Sequence, residues 1–129
     1  MKLDSIHKNV HKPETLYHKD IGFPSNITLP KTFNNVTRVR YSQHAKDEAN
    51  NDRYGSITLP DIIDFRKGET IEIGVRGREV SKIVIRYPYD KEKDIVMVVN
   101  PSDGFVRTVW FNMKNDTHGT LDKSKYARP

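Results

Sequence analysis

From Glu69 onward, hydrophobic and polar positions alternate with the period of strands that bury one face. Ile71, Ile73 and Val75 mark a first strand over Glu69–Val75. In Val80–Tyr87, Ile83, Ile85 and Tyr87 lie on one face, with Val84 and Arg86 on the other. Ile95–Val99 is a continuous apolar run and predicts a central strand. Phe105–Asn112 alternates again: Val106, Thr108, Trp110 and Asn112 point one way, and Arg107, Val109 and Phe111 the other. The links are short: VRGRE, the charged Asp90–Lys93, and PSDG at 101–104. Short links between successive strands imply an antiparallel meander.

The pattern ahead of these strands is different. Ser42 suits an N-cap, and Gln43–Asp52 holds helix formers without β-branching. Ala45 and Ala49 form a small face for packing on a sheet; His44, Glu48 and Asn51 share another. A second short helix is read in TLPDIIDFRKG, capped by Thr58 or Ser56, with Pro60 in its first turn and Gly68 closing it. Leu59, Ile62 and Ile63 would be its buried face. Asn34–Tyr41 reads as a strand or an extended approach to the core. Residues 1–30 are irregular, broken at Pro13, Pro24 and Pro30, with room for a short helix over Ser5–Val10. The expected fold class is α+β: two short N-terminal helices packed on a four-stranded antiparallel β-meander, with an extended N-terminal segment. The expected division is an extended basic segment over 1–40 and an α+β domain over 41–129.

Composition narrows the chemistry. A chain of 129 residues fits one domain, and 35% hydrophobic content confines the core to a few strands. Without cysteine there is no disulfide, thiolate metal site or cysteine nucleophile. No apolar run approaches the roughly 20 residues that span a bilayer, and MKLDSIHKNVHKPETLYHKD lacks the apolar stretch of a secretory signal. The expectation is a cytoplasmic protein without a membrane partner, in the host bacterial cytoplasm if phage-encoded.

Net charge is +5, and its distribution says more than its size. Residues 1–40 carry seven Lys/Arg against three Asp/Glu, 41–112 carry eleven against twelve, and 113–129 carry four against two. Basic ends around a balanced middle suit a polyanion, with RNA as the expected partner. Basic termini are also common in proteins that bind no nucleic acid.

Several side chains could carry chemistry. His44 stands in the first turn of the first helix, where the positive helix end favours neutral imidazole, with Glu48 one turn on. A surface histidine fits the same pattern. Thr108, Trp110 and Asn112 put a hydroxyl, an indole and an amide on one strand face. Trp110 is either core or a platform for a base. Thr108 and Asn112 either hold a phosphate or ribose hydroxyl, or satisfy backbone groups. Arg86 among apolar neighbours is an anion-site candidate. His118 adds a second imidazole, and Lys114, Lys123 and Lys125 add charge. RNA cleavage by internal transesterification needs a base, a cation or donors for the phosphorane, and an acid, with no cofactor. His7, His11 and His18 are read as chance rather than as a metal site.

The stretches YSQHAKDEANNDR, ITLPDIIDFRKGE, IVIRYPY, IVMVVN and VRTVWFNMKNDTHGTLDKSKY resemble the barnase–EndoU–colicin–RelE group of small RNases and toxins, over roughly residues 41–126. They resemble uncharacterised bacteriophage and prophage proteins more narrowly, through the TVW-N---DTH-TLD---Y pattern. The resemblance implies helices packed on an antiparallel sheet and RNA cleavage without metal. It implies catalytic roles for His44, Arg86, Thr108 and Tyr126; in the endoribonuclease reading His118 or Tyr126 is the acid or orienter. Lys46 and Arg53 stand nearest to the arginine that related helices carry, and with Trp110, Asn112 and Lys114 they would bind substrate. The expected function is a metal-independent endoribonuclease, toxin-like or phage-encoded. The alternatives are a non-catalytic phage effector on the same scaffold and a structural phage component. Further expected partners are a host protein, an antitoxin-like inhibitor and a second copy in a homodimer.

Overall fold

A computed structural model describes residues 13–28, 35–116 and 123–129. Among them eight strands and one α-helix follow in chain order. They are β1 (Thr15–His18), β2 (Val36–Arg38), β3 (Arg40–Tyr41), α1 (Gln43–Asn50), β4 (Ile62–Asp64), β5 (Glu69–Arg76), β6 (Glu79–Pro88), β7 (Lys93–Val99) and β8 (Phe105–Met113). Short 3₁₀ turns occupy Phe65–Lys67 and Lys123–Lys125. No helix among the described residues is long and apolar enough to cross a membrane.

The sheet order is β1-β5-β6-β7-β8-β3, and β2 pairs with β4 in a separate ribbon. The four strands expected from alternation form the antiparallel centre. β1 adds to one edge antiparallel, while β3 adds to the other edge parallel to β8. The α+β expectation of two helices on a four-stranded meander is therefore corrected. The chain is mostly β, with a six-stranded mixed sheet, a two-stranded ribbon and one α-helix among the described residues.

The second expected helix is β4 followed by the 3₁₀ turn. Its β-branched pair Ile62–Ile63 is confined between Pro60 and Gly68, scarcely two turns of helix. Val36–Arg38 supplies a strand partner, pairing Thr37 with Ile63 and Arg38 with Ile62. Alternation then buries Ile63 and exposes Ile62. Within the segment expected to be merely extended, Thr15–His18 is an edge strand of the main sheet. The short helix expected over Ser5–Val10 lies outside the described residues.

The first expected helix forms. Ser42 accepts a hydrogen bond from the Ala45 N–H at 2.9 Å and closes its N-terminus. Ala45 and Ala49 are buried in the main core with Ile73, Ile83, Ile85, Ile95, Met97, Val109 and Phe111. Small side chains let the helix backbone come close to β8. That edge of β8 meets β3 only at Phe105 and Val106. Beyond it α1 takes the place of a strand. Glu48 accepts from the Val109 N–H at 3.2 Å, and Asp52 accepts from the Phe111 N–H at 3.1 Å. Two carboxylates four residues apart thus satisfy successive outward amides of β8.

A bulge corrects one detail of the strand reading. Thr108 pairs with Val98 but Val106 pairs with Val99, so Arg107 is the extra residue. The shift turns Val106 into the main core, away from the face of Trp110.

Candidate functional site

The two faces of the sheet are unlike. One carries the main core beneath α1 and the β2–β4 ribbon. On the other, Ile71, Val84 and Val96 form a small cluster with the half-buried Val98 and Trp110. Cross-strand register lays out this second face. His18 stands opposite Glu72, Glu72 opposite Val84, Val84 opposite Val98, and Val98 opposite Thr108. The next row runs Arg86, Val96, Trp110. Directly paired residues share a face, so charged groups from β1, β5 and β6 border the apolar cluster on one side, with Trp110 on the other.

Over this border lies the C-terminal segment. The Ala127 N–H donates to the Leu16 carbonyl at 2.8 Å, and the Tyr126 ring lies 5.1 Å from the His18 ring. The Tyr126 hydroxyl donates to Glu72 Oε1 at 2.5 Å, and Lys82 Nζ is 3.2 Å from Glu72 Oε2. One carboxylate therefore gathers a phenol and an ammonium. Gly74, opposite Lys82, leaves room for it, since a Cβ there would come 3.0 Å from Lys82 Cγ and 2.6 Å from Glu14 Oε2.

His18 is 3% exposed, and its Nδ1 accepts the Asp20 N–H at 3.1 Å. That contact, with the Asp20 carboxylate 3.7 Å from the same nitrogen, fixes the orientation of the ring. These groups enclose a hollow of about 190 Å³ lined by His18, Ile71, Glu72, Lys82, Val84, Val98, Trp110 and Tyr126. It combines an acid–base set, an apolar floor and an aromatic wall.

Of the expected site residues, Tyr126 and Trp110 meet here. Arg86 and Lys114 line a neighbouring charged hollow of about 360 Å³ that shares Ile71 with the first. There Arg86 is already committed. Its Nε donates to Asp94 Oδ2 at 2.6 Å, Nη1 to the Asp116 carbonyl at 2.9 Å, and Nη2 to the Met113 carbonyl at 2.8 Å. Lys114 Nζ donates to the other Asp94 oxygen at 2.5 Å. Burial opposes the Asp94 charge, but the hydrogen bonds and charges of Lys114 and Arg86 outweigh it and hold this carboxyl below the usual aspartate range. Asn112 is buried and donates to the Met113 carbonyl at 3.1 Å, so it shapes the same turn.

His44 stands elsewhere, exposed on α1 with Nε2 3.4 Å from Glu48. It lines a third hollow of about 610 Å³ with Asp47, Glu48, Asp52, Arg53 and the Val109–Phe111 edge of β8. Trp110 borders both this hollow and the one at Tyr126. The structure thus separates His44 and Arg53 from Arg86 and Tyr126, with β8 between them. Lys46 is exposed on α1, and the Arg53 guanidinium lies 4.7 Å from the Tyr54 ring centroid. Thr108 ends the His18 row on β8, and His118 lies outside the described residues.

His18, Glu72 and Lys82 were not singled out as site residues by pattern. Opposite charges at Glu72 and Lys82, on strands joined by a tight turn, signal a cross-strand ion pair. The approach of β1 and Tyr126 has no local signature. No family model, curated protein or solved structure matches the chain.

Proposed function

We propose that this protein is an endoribonuclease that cleaves RNA by attack of a 2′-hydroxyl on the adjacent phosphate. The observation that carries the reading is the convergence of Glu72, Lys82, Tyr126 and His18 on one hollow beside Trp110. The Glu72 carboxylate takes the 2′-hydroxyl proton as that oxygen bonds to phosphorus. The Lys82 ammonium stabilises the charge on the phosphorane. Tyr126 protonates the 5′-oxygen as its bond to phosphorus breaks, and recovers a proton from Glu72 through their hydrogen bond. The products are a 2′,3′-cyclic phosphate and a free 5′-hydroxyl, with the protein returned to its starting state. The +5 charge of the chain supports a polyanionic substrate.

The test is incubation of purified protein with total RNA in EDTA, followed by mapping of cut ends. Cyclic-phosphate ends are expected, reduced about 10²-fold or more in Glu72→Gln and Tyr126→Phe, in line with loss of a general acid or base. Ends lost in His44→Ala but kept in Glu72→Gln would move the chemistry to the α1 hollow. Binding without cleavage would favour a non-catalytic effector. That second reading draws on Glu72 being already shared between Lys82 and Tyr126, a closed set that binding would not need to open.

A further inference from the structure

Resting on that reading, we infer that the hollow between Trp110 and Tyr126 seats one unpaired nucleobase, making single-stranded RNA the substrate class. Size decides between one base and a base pair. A cavity of about 150 Å³ accepts a benzene-sized ring. The 190 Å³ here matches one aromatic heterocycle better than a pair. The lining has the matching chemistry. Val84 and Val98 form an apolar floor, Trp110 offers a half-buried indole, and Tyr126 stands at the opposite wall. Unpaired bases are recognised by such stacking surfaces, whereas bases in a duplex keep their faces covered. Lys82 on the charged side is placed for the phosphate attached to a seated base, which brings the scissile bond beside Glu72.

The neighbouring hollows are poorer seats. The one at Arg86 is lined by charged side chains and Ile71 with no aromatic wall, and the one at His44 faces Asp47, Glu48 and Asp52, whose carboxylates repel phosphate.

Trp110 is the one tryptophan of the chain, so its fluorescence reports on the two hollows it borders, and Val98, which lines only this one, tells them apart. The probe is a short DNA oligonucleotide, uncleavable for want of a 2′-hydroxyl, offered to the full-length protein as a single strand and as a duplex with its complement. Saturable quenching of Trp110 by the single strand is expected, with duplex at least about tenfold weaker. Anisotropy of a labelled single strand should show Trp110→Ala weakened about tenfold or more, the loss of one base–aromatic stack, and Trp110→Phe largely spared. Val98→Phe, which fills the floor, should block binding while circular dichroism stays native. Equal binding of duplex, or native RNA cleavage without any Trp110 response, overturns the base seat and leaves the nuclease reading standing. RNA neither bound nor cleaved overturns both.

Discussion

Replacing Arg86 decides whether it is an anchor for a substrate phosphate or a strut of the fold. Its side chain is 13% exposed, as is that of Asp94. Three of its nitrogens donate, to Asp94 on β7 and to the carbonyls of Met113 at the end of β8 and Asp116 in the turn after it. Breaking a fully buried ion pair by removing one partner costs about 3–5 kcal/mol. Here Lys114 still balances Asp94, and the carbonyls are near enough to water to be partly resolvated. Each hydrogen bond from a charged group contributes roughly 1.5–3 kcal/mol at best. Arg86→Ala should therefore destabilise by about 3 kcal/mol, or roughly 10 °C in Tm for a domain of this size. Arg86→Lys should recover less than half, because an ammonium can reach Asp94 but cannot fork onto two carbonyls as well. Urea unfolding followed by circular dichroism measures both. A loss under about 1 kcal/mol in Arg86→Ala, with an unchanged m-value, would refute the strut. An arginine held in reserve for substrate would give that result together with weaker RNA binding.

Three other outcomes follow from the same contacts. Ser42→Ala loses both the cap to Ala45 and the hydroxyl's donation to the Arg107 carbonyl, so urea unfolding should show a cost of about 1–2 kcal/mol; Ser42→Asp should restore only the capping part. Glu48→Ala should speed amide hydrogen exchange at Val109, and Asp52→Ala at Phe111, each by about tenfold if roughly 1.4 kcal/mol of local protection is lost, with β7 amides unchanged. Because the folded pKa of Asp94 lies below its ordinary value of 3.8, the stabilisation is complete above that value and is lost as pH falls through the folded pKa; the stability gap between wild type and Asp94→Asn should therefore be widest near neutrality and close below about pH 4.

The parts of the fold legible in the sequence are those governed by near neighbours. β5 to β8 alternate or run apolar over seven to ten residues, and tight links join them, so period and connection agree. The Ser42 cap and the Ala45–Ala49 face are equally local. Ile62–Ile63 misled because apolar neighbours beside a proline and a glycine fit a short helix as well as a strand. The partner that decides it, Val36–Arg38, lies more than twenty residues earlier. β1 has four residues and takes its register wholly from β5. The Arg107 bulge has no glycine to announce it.

The site was harder to read for a related reason. Outward polar positions on a strand look the same whether they face solvent or a pocket. Glu72 and Lys82 read as ordinary outward charges and Arg86 as an anion-site candidate, yet Arg86 braces a turn while Glu72 collects a phenol and an ammonium from elsewhere in the chain. One sequence feature does separate this face from a solvated one. β6 and β7 are apolar on both sides, with Val84, Val96 and Val98 opposite Ile83, Ile85, Ile95 and Met97. Strands facing water on one side have no need of that second row. Its presence calls for a cover, and the cover among the described residues is partial: an indole at one margin and Tyr126 at the other, with a hollow between them. A double-sided apolar strand pair on an incompletely covered face is thus a local signal that something else sits there. Which groups meet it across the hollow depends on contacts spanning more than fifty residues, such as that of Tyr126 with Glu72.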